Sequence, residues 1–501
     1  MSRTVDADVC IVGAGIAGLF AACSLPQGTR TVVVEKGVYG EGSSPLAQGG
    51  LAAAMGPDDS PALHLADTMA AGAGLVERRA AEVLCLEAPD RVRDLVDLGT
   101  GFDRGADGSL HLAREGGQSV ARSVHTADAS GGEIVRALRI AAAPLVERVE
   151  GYAVRLEVSP DGRCLGLWAM DGAGSWVLVR APSMLLASGG AGALFASTTN
   201  PPAATGDGLA LASFAGARLA DLEFVQFHPT ALAVEESPRP LLTEALRGAG
   251  AHLVDADGQR FMVDSHPLAE LAPRHVVTAQ ILRAGRAFLD CRSIGAEELE
   301  RHFPTVLASC RARGFDPVTD LLPVAPAAHY LIGGVATDLA GRTSIPGLYA
   351  AGECAATGVH GANRMAGNSL SEAVVFGRRA ATAMSGAASP GDAEWGSPPE
   401  GGTGTASFTR AAVIETVTEG AGPVRSWGAG ESAVNRLAEM AESAAGADGR
   451  EGFELAAMVR AGELLVRSAV ARRETRGVHV RSDHPDPDPT LDRVHLVATD
   501  D

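Results

Sequence analysis

The sequence has few cysteines, and they lack the spacing of metal ligands or of a disulfide framework. There are seven, an odd number, and no Cys-x-x-Cys pair occurs. Their positions are Cys10, Cys23, Cys85, Cys164, Cys291, Cys310 and Cys354. Scattered single thiols are typical of proteins in a reducing compartment. We therefore predict a cytoplasmic protein without a metal site.

Positive charge is also scarce. The chain has 42 Lys and Arg residues against 61 Asp and Glu residues, which gives a formal net charge of -19. Such acidity argues against nucleic acid or an anionic membrane surface as a partner. The overall field would also repel an anionic ligand, so a site for one would need a local cluster of arginines.

Long apolar runs are missing as well. No stretch reaches the roughly 20 uninterrupted apolar residues that cross a bilayer. The nearest, residues 9–25, is interrupted by glycines and follows a segment with one Arg and two Asp. It is better explained as a buried strand and helix than as a leader sequence. A chain of 501 residues is too long for one ordinary core, so two or three domains are expected.

Glycine is abundant, with 61 residues, and the first cluster marks a ligand site. A strand over residues 8–12, a helix over 16–25 and a strand over 31–34 predict a βαβ unit. The turn Gly13-Ala14-Gly15-Ile16-Ala17-Gly18 lies between the first strand and the helix. This spacing lets backbone N–H groups meet a pyrophosphate at the positive end of the helix, and Glu35 is placed to bind a ribose. The sequence therefore predicts a dinucleotide site.

Two later segments extend the same sheet. Residues 184–187 and 347–350 have the composition of buried strands, and both run directly into glycines. Three such junctions, far apart in sequence, indicate one parallel sheet with the ligand at its carboxyl edge. We predict an α/β fold whose main domain is Rossmann-like.

A second glycine-rich segment indicates FAD rather than NAD. Residues 43–50 are polar and glycine-rich and follow the βαβ unit immediately, where a nicotinamide enzyme needs no such segment. Downstream, Gly352-Glu353 follows a strand, and Asn368-Ser369-Leu370 begins a predicted helix. The N-terminus of that helix could stabilise an anionic reduced flavin ring.

The remaining chain divides by composition. The predicted units are a discontinuous FAD-binding domain (1–221 and 331–385), an inserted α+β capping domain (222–330), a linker (386–407), a C-terminal helical bundle (408–485) and a tail (486–501). The linker is rich in Gly, Pro and Ser, and the bundle in Ala, Glu, Leu and Arg. Past Asp483 the chain is expected to be loosely ordered.

Eight short motifs follow one another over residues 8–385. They are Ala47-Gln48-Gly49-Gly50, Arg114-Glu115-Gly116-Gly117, Thr205-Gly206-Asp207-Gly208, Gln226-Phe227-His228-Pro229-Thr230, Leu242-Thr243-Glu244-Ala245-Leu246-Arg247-Gly248, Leu271-Ala272-Pro273-Arg274, Pro326-Ala327-Ala328-His329-Tyr330 and His360-Gly361-Ala362-Asn363-Arg364. On these motifs the chain resembles the succinate dehydrogenase/fumarate reductase flavoprotein superfamily, and within it the L-aspartate oxidase family.

Two arginines and two histidines in these motifs suit a dicarboxylate. Arg274, Arg364, His228 and His329 stand in segments bounded by Pro or Gly. The planar guanidinium pairs bidentately with a carboxylate. Each residue alone is more often a surface ion pair or a core histidine. The four together, in the motifs of one family, favour a binding site.

The resemblance implies a role for each of them. His228, His329 and Arg364, assisted by Thr243, are expected to bind the dicarboxylate. Arg274 is expected to exchange a proton with the substrate carbon chain while a hydride passes to the flavin. At its ordinary pKa arginine is already protonated and accepts a further proton poorly, so a carboxylate must relay that proton. Glu244 and Glu270 are the candidates.

Glu115 decides which dicarboxylate is expected. A carboxylate would repel succinate but can pair with the ammonium group of aspartate. The resemblance agrees, because aspartate oxidases have Glu at this position, whereas the succinate and fumarate enzymes have uncharged residues. Ser43 stands where covalently flavinylated relatives have a histidine, so we expect FAD to be bound non-covalently.

The complete prediction is therefore an FAD-dependent enzyme. The residues expected to hold FAD are Gly13, Ala14, Gly15, Ile16, Ala17, Gly18, Glu35, Lys36, Ser43, Ser44, Ala47, Gln48, Gly49, Gly50, Asp207, Glu353, Ser369 and Leu370. The resemblance implies oxidation of L-aspartate to iminoaspartate, reoxidation by O2 or fumarate, and coupling to quinolinate synthase in de novo NAD synthesis. The alternatives are a soluble fumarate reductase or succinate oxidase, and a binding protein that has lost turnover. His275 departs from the family pattern beside Arg274.

Overall fold

The N-terminal βαβ unit forms where the sequence predicts it. In the computed structural model, which describes residues 3–386, 395–400, 406–444 and 448–498, its strands and helix are bounded within one residue of the prediction. Much of the predicted linker, residues 387–394 and 401–405, lies outside the described residues.

The strands of the described residues are short except in two antiparallel pairs, residues 146–158 with 164–171 and residues 225–232 with 321–331. They are β1 Arg3–Asp6, β2 Val9–Val12, β3 Thr31–Glu35, β4 Leu51–Ala52, β5 Leu112–Ala113, β6 Ser123–Val124, β7 Val146–Val158, β8 Cys164–Asp171, β9 Trp176–Arg180, β10 Ser183–Leu186, β11 Leu219–Ala220, β12 Val225–Leu232, β13 His252–Asp255, β14 Ala287–Asp290, β15 Leu321–Leu331, β16 Gly334–Ala336, β17 Leu348–Ala350, β18 Ala355–Ala356 and β19 Val497–Ala498.

The helices alternate with these strands and then follow them. The α-helices are α1 Ile16–Ser24, α2 Pro61–Ala71, α3 Arg78–Asp97, α4 Ser130–Ala142, α5 Asp207–Phe214, α6 Glu244–Gly248, α7 Arg274–Ala284, α8 Ala296–His302, α9 Pro304–Arg311, α10 Asn368–Met384, α11 Arg410–Ala421, α12 Trp427–Ala444 and α13 Gly449–Ala471. Short 3-10 helices span Ser44–Leu46, Gly192–Leu194, Ala269–Leu271, Gly352–Cys354 and Pro489–Leu491.

The largest sheet has the order β1-β9-β8-β7-β3-β2-β10-β17. Its last five strands, β7-β3-β2-β10-β17, run parallel. Val12 pairs with Val34 and with Leu186, and Leu186 pairs with Ala350, so these strands end at one edge. The prediction that separated segments join in one parallel sheet is confirmed for these five strands, whereas β8 pairs antiparallel with both β7 and β9.

The first turn of this sheet requires glycine. Gly13 has φ +107°, and a Cβ there would lie 2.3 Å from the carbonyl oxygen of Ala187. Gly18 is required by close packing, because a Cβ there would lie 2.1 Å from the carbonyl oxygen of Gly13. Close approach at both positions brings the start of α1 directly onto the carboxyl edge of the sheet.

A second sheet, β12-β15-β14-β13, forms the part of the chain predicted as the capping domain. It packs on α7 and α9 around Leu253, Val277, Leu289 and Leu322. The domain boundaries themselves stay predictions. Asp128, which precedes α4, joins this unit to the first, because its carboxylate accepts from the backbone N–H groups of Thr305 and Val306 at 3.2 and 3.0 Å.

The C-terminal bundle is confirmed, but the expectation of a loosely ordered tail was wrong. Helices α11, α12 and α13 pack together around Leu437 and Leu465. Past Asp483, strand β19 pairs with β11, and Asp492 forms a 2.6 Å ion pair with Arg476. Buried arginines need acceptors, and the tail supplies them. No helix of the described residues has the length and apolarity that a membrane crossing needs.

These arginines belong to a buried ionic network whose loss should be costly. Arg472 is fully buried and lies 2.5 Å from Glu223 and 2.8 Å from Glu474. Replacing Arg472 with leucine would leave two buried carboxylates without that cation, so we expect the protein to lose about 3–5 kcal/mol of stability. Thermal unfolding would measure this. The matched control is Arg467→Leu, which removes a half-exposed pair with Glu463 and should cost at most about 1 kcal/mol. Equal losses in the two variants would contradict the prediction.

Candidate active site

One cavity of about 470 Å³ lies at the carboxyl edge of the main sheet. Every predicted substrate-binding and catalytic residue lines it: Arg274, His228, His329, Arg364, Glu115 and Thr243. Every predicted cofactor residue except Gly18 lines it as well. The fold therefore brings together two sets of residues that the sequence places up to 350 positions apart.

The glycine turn and Glu35 form one end of the cavity. The backbone N–H of Ala14 donates to the Glu35 carboxylate at 2.5 Å, which places Glu35 beside the N-terminus of α1. Lys36 Nζ lies 2.6 Å from Asp207 and 2.7 Å from the Thr205 hydroxyl. At this end of the cavity the helix N-terminus suits a pyrophosphate, and the carboxylates suit the hydroxyl groups of a ribose.

The middle of the cavity contains polar atoms that lack partners. Gln48 Oε1 and Ser188 Oγ are buried with no hydrogen-bond partner among the described residues. Gln48 Nε2 donates to the carbonyl of Leu241 at 3.1 Å, which fixes the amide. A polar ring such as a flavin would satisfy these atoms, so the residues fit FAD. Sequence reasoning missed Ser188, although it precedes one of the glycine junctions.

Gln226 joins the two arginines at the other end. Its Oε1 accepts from Arg274 Nη1 at 2.9 Å and from Arg364 Nη2 at 3.1 Å. Its Nε2 donates to Asn363 Oδ1 at 3.1 Å, which sets the orientation of the amide. Gln226 was not among the predicted site residues, although its motif was recognised, because no spacing shows which side chain bridges the arginines.

Arg364 is a buried cation without an anionic partner. Among the described residues no carboxylate forms an ion pair with it, and its Nε has no hydrogen-bond partner. Burial, reinforced by the charge of Arg274, lowers the pKa of Arg364 to about 10. Ser369 Oγ accepts from its Nη1 at 3.0 Å. An unpaired arginine in a cavity favours a carboxylate ligand.

The two histidines are neutral hydrogen-bonding groups. Their rings lie 5.2 Å apart at an angle of 61°, and His329 Nδ1 lies 2.9 Å from the Thr199 hydroxyl. Burial, followed by the charge of Arg274, holds the pKa of both His228 and His329 well below the ordinary value. The positive charge in this end of the cavity therefore resides on arginines.

Glu115 is the anion that faces the arginines of this cavity. Its Oε1 accepts from the backbone N–H of Gly50 at 2.7 Å, and a Cβ on Gly49 would lie 3.0 Å from its Oε2. Burial, with a contribution from Glu244, raises the pKa of Glu115. No cation of the described residues forms an ion pair with it. The Gly-Gly pair thus lets an unpaired carboxylate reach the cavity.

The structure separates the two candidates for the proton relay. Glu244 Oε2 accepts from Arg274 Nε at 2.8 Å, and Glu244 Oε1 lies 3.8 Å from Nη2 of the buried Arg247. Glu270 instead pairs with Arg260 at 2.8 Å and is not an ion-pair partner of Arg274. Arg274 begins α7 and Glu244 begins α6, so a contact between two helix starts decides the choice.

Gly116 lies against Glu244 and offers a test of its position. A Cβ on Gly116 would lie 2.0 Å from Glu244 Oε1. We expect Gly116→Ala to displace this carboxylate from Arg274 and to lower the rate of flavin reduction by about 10²-fold, with FAD still bound. Stopped-flow flavin bleaching measures the rate. Gly248→Ala, in open space at the end of α6, is the control and should leave the rate unchanged. A normal rate in Gly116→Ala would contradict this placement.

His275 does not face the cavity, although it follows Arg274. It lines a separate small cavity with Phe227, Val478 and Val480, between α7 and the C-terminal region. Burial lowers the pKa of His275 to about 4. The departure from the family pattern at this position therefore affects an interface rather than the arginine's contacts.

Comparisons with known proteins agree with this geometry. Residues 8–370 match the family model for the FAD binding domain, and residues 418–501 match that for the fumarate reductase flavoprotein C-terminus. The chain is 46% identical to an L-aspartate oxidase of Streptomyces coelicolor over 99% of its own length and 91% of the relative. It is 45% identical to that of Caulobacter vibrioides, over 96% and 94%.

A solved structure of E. coli quinol fumarate reductase has the same fold. It superposes with a TM-score of 0.92 and 31% identity, and the match covers 100% of this chain and 95% of the other. The cofactor is FAD. The chain belongs to the L-aspartate oxidase family, within the succinate dehydrogenase/fumarate reductase flavoproteins.

Proposed function

We propose that this protein oxidises L-aspartate to iminoaspartate, with bound FAD supplying the hydride-accepting chemistry. The observation that carries the proposal is the arrangement of Glu115, an anion without a cationic partner, in a cavity that also holds the unpaired cation Arg364. Aspartate is the complement of that arrangement, because it has two carboxylates and one ammonium group.

Arg364 and the neutral imidazoles hold the carboxylates. Arg364 offers an unused Nε donor, and its other contacts are to neutral oxygens. His228, His329 and Thr243 line the same cavity and can each add a hydrogen bond. Bidentate pairing with arginine orients a carboxylate in a plane, and the imidazoles then fix the second carboxylate.

Glu115 holds the ammonium group and thereby selects the substrate. Pairing with a cation stabilises its charge in a site where burial disfavours ionisation. Succinate would place another anion near the same carboxylate, with no cation to offset the repulsion. This disfavours the alternative of a succinate oxidase.

Arg274 and Glu244 move the proton. Oxidation of the ammonium form of the substrate to the protonated imine removes one hydride and one proton. Arg274 lines the cavity and contacts Glu244, so the proton can leave through Arg274 as Glu244 receives it. Coupling the two transfers overcomes the weak basicity of a guanidinium. With fumarate as acceptor, Arg274 would return a proton to carbon along the same contact.

The reaction also needs an acceptor for the electrons of the reduced flavin and an enzyme that consumes its product. We propose reoxidation by O2 or fumarate and consumption of the unstable imine by quinolinate synthase.

FAD is held non-covalently, since Ser43 lines the cavity where a histidine would form a covalent link. Unpaired thiols at all seven cysteines support a reducing cytoplasm.

Anaerobic flavin reduction tests the proposal. L-aspartate should bleach the flavin band, succinate should do so far more slowly, and O2 or fumarate should restore it. Bleaching by succinate alone would establish the fumarate reductase alternative. Folded protein without a flavin band would instead favour a binding protein that has lost turnover.

A further inference from the structure

We propose that Tyr330, held by Glu372, is a positioning residue that keeps the Arg364 guanidinium charged and aligned for the substrate carboxylate. The inference rests on the proposed function, and it assigns to Tyr330 and Glu372 a part in dicarboxylate recognition. Tyr330 ends one of the eight motifs but was not among the predicted site residues, and Glu372 lies outside those motifs.

Arg364 needs such a support because its surroundings do not neutralise it. It is 5% exposed, and its hydrogen-bond acceptors, Gln226 and Ser369, are neutral. The nearest cation, Arg274, repels it across the shared amide of Gln226. No carboxylate of the described residues lies within ion-pair distance of Arg364, and Glu353 and Glu115 act on it only from farther away. A desolvated guanidinium in such surroundings would lose either its charge or its orientation.

The ring of Tyr330 supplies the missing stabilisation. The guanidinium carbon of Arg364 lies 4.6 Å from the ring centroid, which is within the range of a cation–π contact. Tyr330 follows His329 directly on β15, so one strand carries both an imidazole of the cavity and the platform of its arginine. Both residues line the cavity.

Glu372 fixes the ring and strengthens it electrostatically. The Tyr330 hydroxyl donates to Glu372 Oε2 at 2.8 Å, and the same oxygen lies 2.9 Å from His360 Nε2. The Thr357 hydroxyl donates to Oε1. Glu372 is 1% exposed, and no cation of the described residues other than a protonated His360 could pair with it.

This arrangement makes Tyr330 a permanent donor to an anion. Burial, together with Glu372, holds the pKa of Tyr330 well above its ordinary value, so the hydroxyl keeps its proton. Donation from a phenol to a carboxylate raises the electron density of the ring. The ring therefore attracts the guanidinium more strongly than an isolated tyrosine would.

Three substitutions separate the ring from its hydroxyl. Tyr330→Leu removes the stack, and we expect it to raise the succinate Kd and the aspartate KM about 10-fold, with a smaller change in kcat. Tyr330→Phe keeps the ring and should restore most of the affinity. Glu372→Gln keeps an acceptor for the hydroxyl but removes the charge, so its affinity should fall between that of Tyr330→Phe and that of the wild type. Calorimetric titration with succinate measures Kd without turnover.

The pH dependence distinguishes positioning from general damage. Besides Tyr330, the charged and titratable groups around Arg364 are Arg274, Glu353 and Glu115, together with Glu244, His228 and His329, whose pKa values the charge of Arg364 lowers. Without the ring, Arg364 should lose its proton at lower pH, so the alkaline weakening of succinate binding should begin earlier in Tyr330→Leu. Tyr349→Leu is the control, because Tyr349 is buried on β17 and bonds to Ala383 instead.

The results that would overturn this proposal differ from the results that would overturn the proposed function. Unchanged succinate Kd and alkaline limb in Tyr330→Leu would overturn the proposal, as would equal shifts in Tyr349→Leu. If Tyr330→Leu does not fold, a wild-type alkaline limb and Kd in Glu372→Gln would overturn it instead. If the wild-type flavin is not reduced by aspartate, the proposed function fails, whereas succinate titration still tests the arginine.

Discussion

Replacing Arg274 with glutamine is expected to slow flavin reduction by L-aspartate by about 10²–10⁴-fold, the range that a positioned proton-transfer group contributes. Arg274 is the side chain that contacts Glu244 while lining the cavity, so its loss breaks the path from substrate to carboxylate. Glutamine can still meet Gln226, and FAD should remain bound because Arg274 lies at the opposite end from the glycine turn.

Single-turnover reduction at saturating aspartate measures this effect without interference from reoxidation. Arg260→Gln is the matched control, since Arg260 lies in the same capping unit but pairs with Glu270 at 2.8 Å. Its rate should equal that of the wild type. Reduction of the Arg274→Gln flavin at more than a tenth of the wild-type rate would exclude Arg274 as the proton-transfer residue.

Replacing Glu115 with glutamine is expected to weaken aspartate binding about 10–100-fold, because a charged hydrogen bond to the ammonium group becomes a neutral one. Glutamine can keep the contact with the Gly50 N–H. The Kd of succinate should stay the same or fall, since a repulsive carboxylate is removed. The ratio of the two affinities is therefore the quantity to measure, and equal losses for both ligands would contradict the ammonium pairing.

The same residue predicts a pH effect that depends on the ligand. Burial raises the pKa of Glu115 above that of an ordinary carboxyl group. As pH falls through this raised pKa, Glu115 becomes neutral and no longer pairs with the ammonium group of the substrate, so kcat/KM for aspartate should fall. This acid limb should be absent in Glu115→Gln and in succinate binding. Glu82→Gln is the control and should keep the limb, because Glu82 is a half-exposed residue of α3 that pairs with Arg78.

Much of the fold could be predicted because its signals are local. Strands β2 and β3 are buried valine-rich runs, and Gly13 is required by a positive φ and by contact with Ala187. The composition of the C-terminal region favours helices, and this alone predicts the bundle. Such features depend on a few neighbouring residues, so they can be recognised as patterns in the sequence.

The contacts inside the site could not be predicted, since they join distant positions. Gln226 and Arg364 are 138 residues apart, and nothing in either segment shows that their side chains meet. Glu244 and Glu270 are both candidates in the sequence, yet only the side-chain contact between the first residues of α6 and α7 shows which one reaches Arg274. The tail past Asp483 has a polar composition, and it is ordered because buried arginines need its acceptors.

The sequence by itself therefore determined the cofactor class, the parallel sheet and the identity of the residues around a dicarboxylate. The tertiary structure alone decided their states and pairings: His228 and His329 are neutral, Arg364 is unpaired and rests on Tyr330, and Glu115 has no cation. The physical reason is desolvation. A pKa, an ion pair or a cation–π contact depends on what surrounds a group in three dimensions, and the order of residues along a chain does not contain that information.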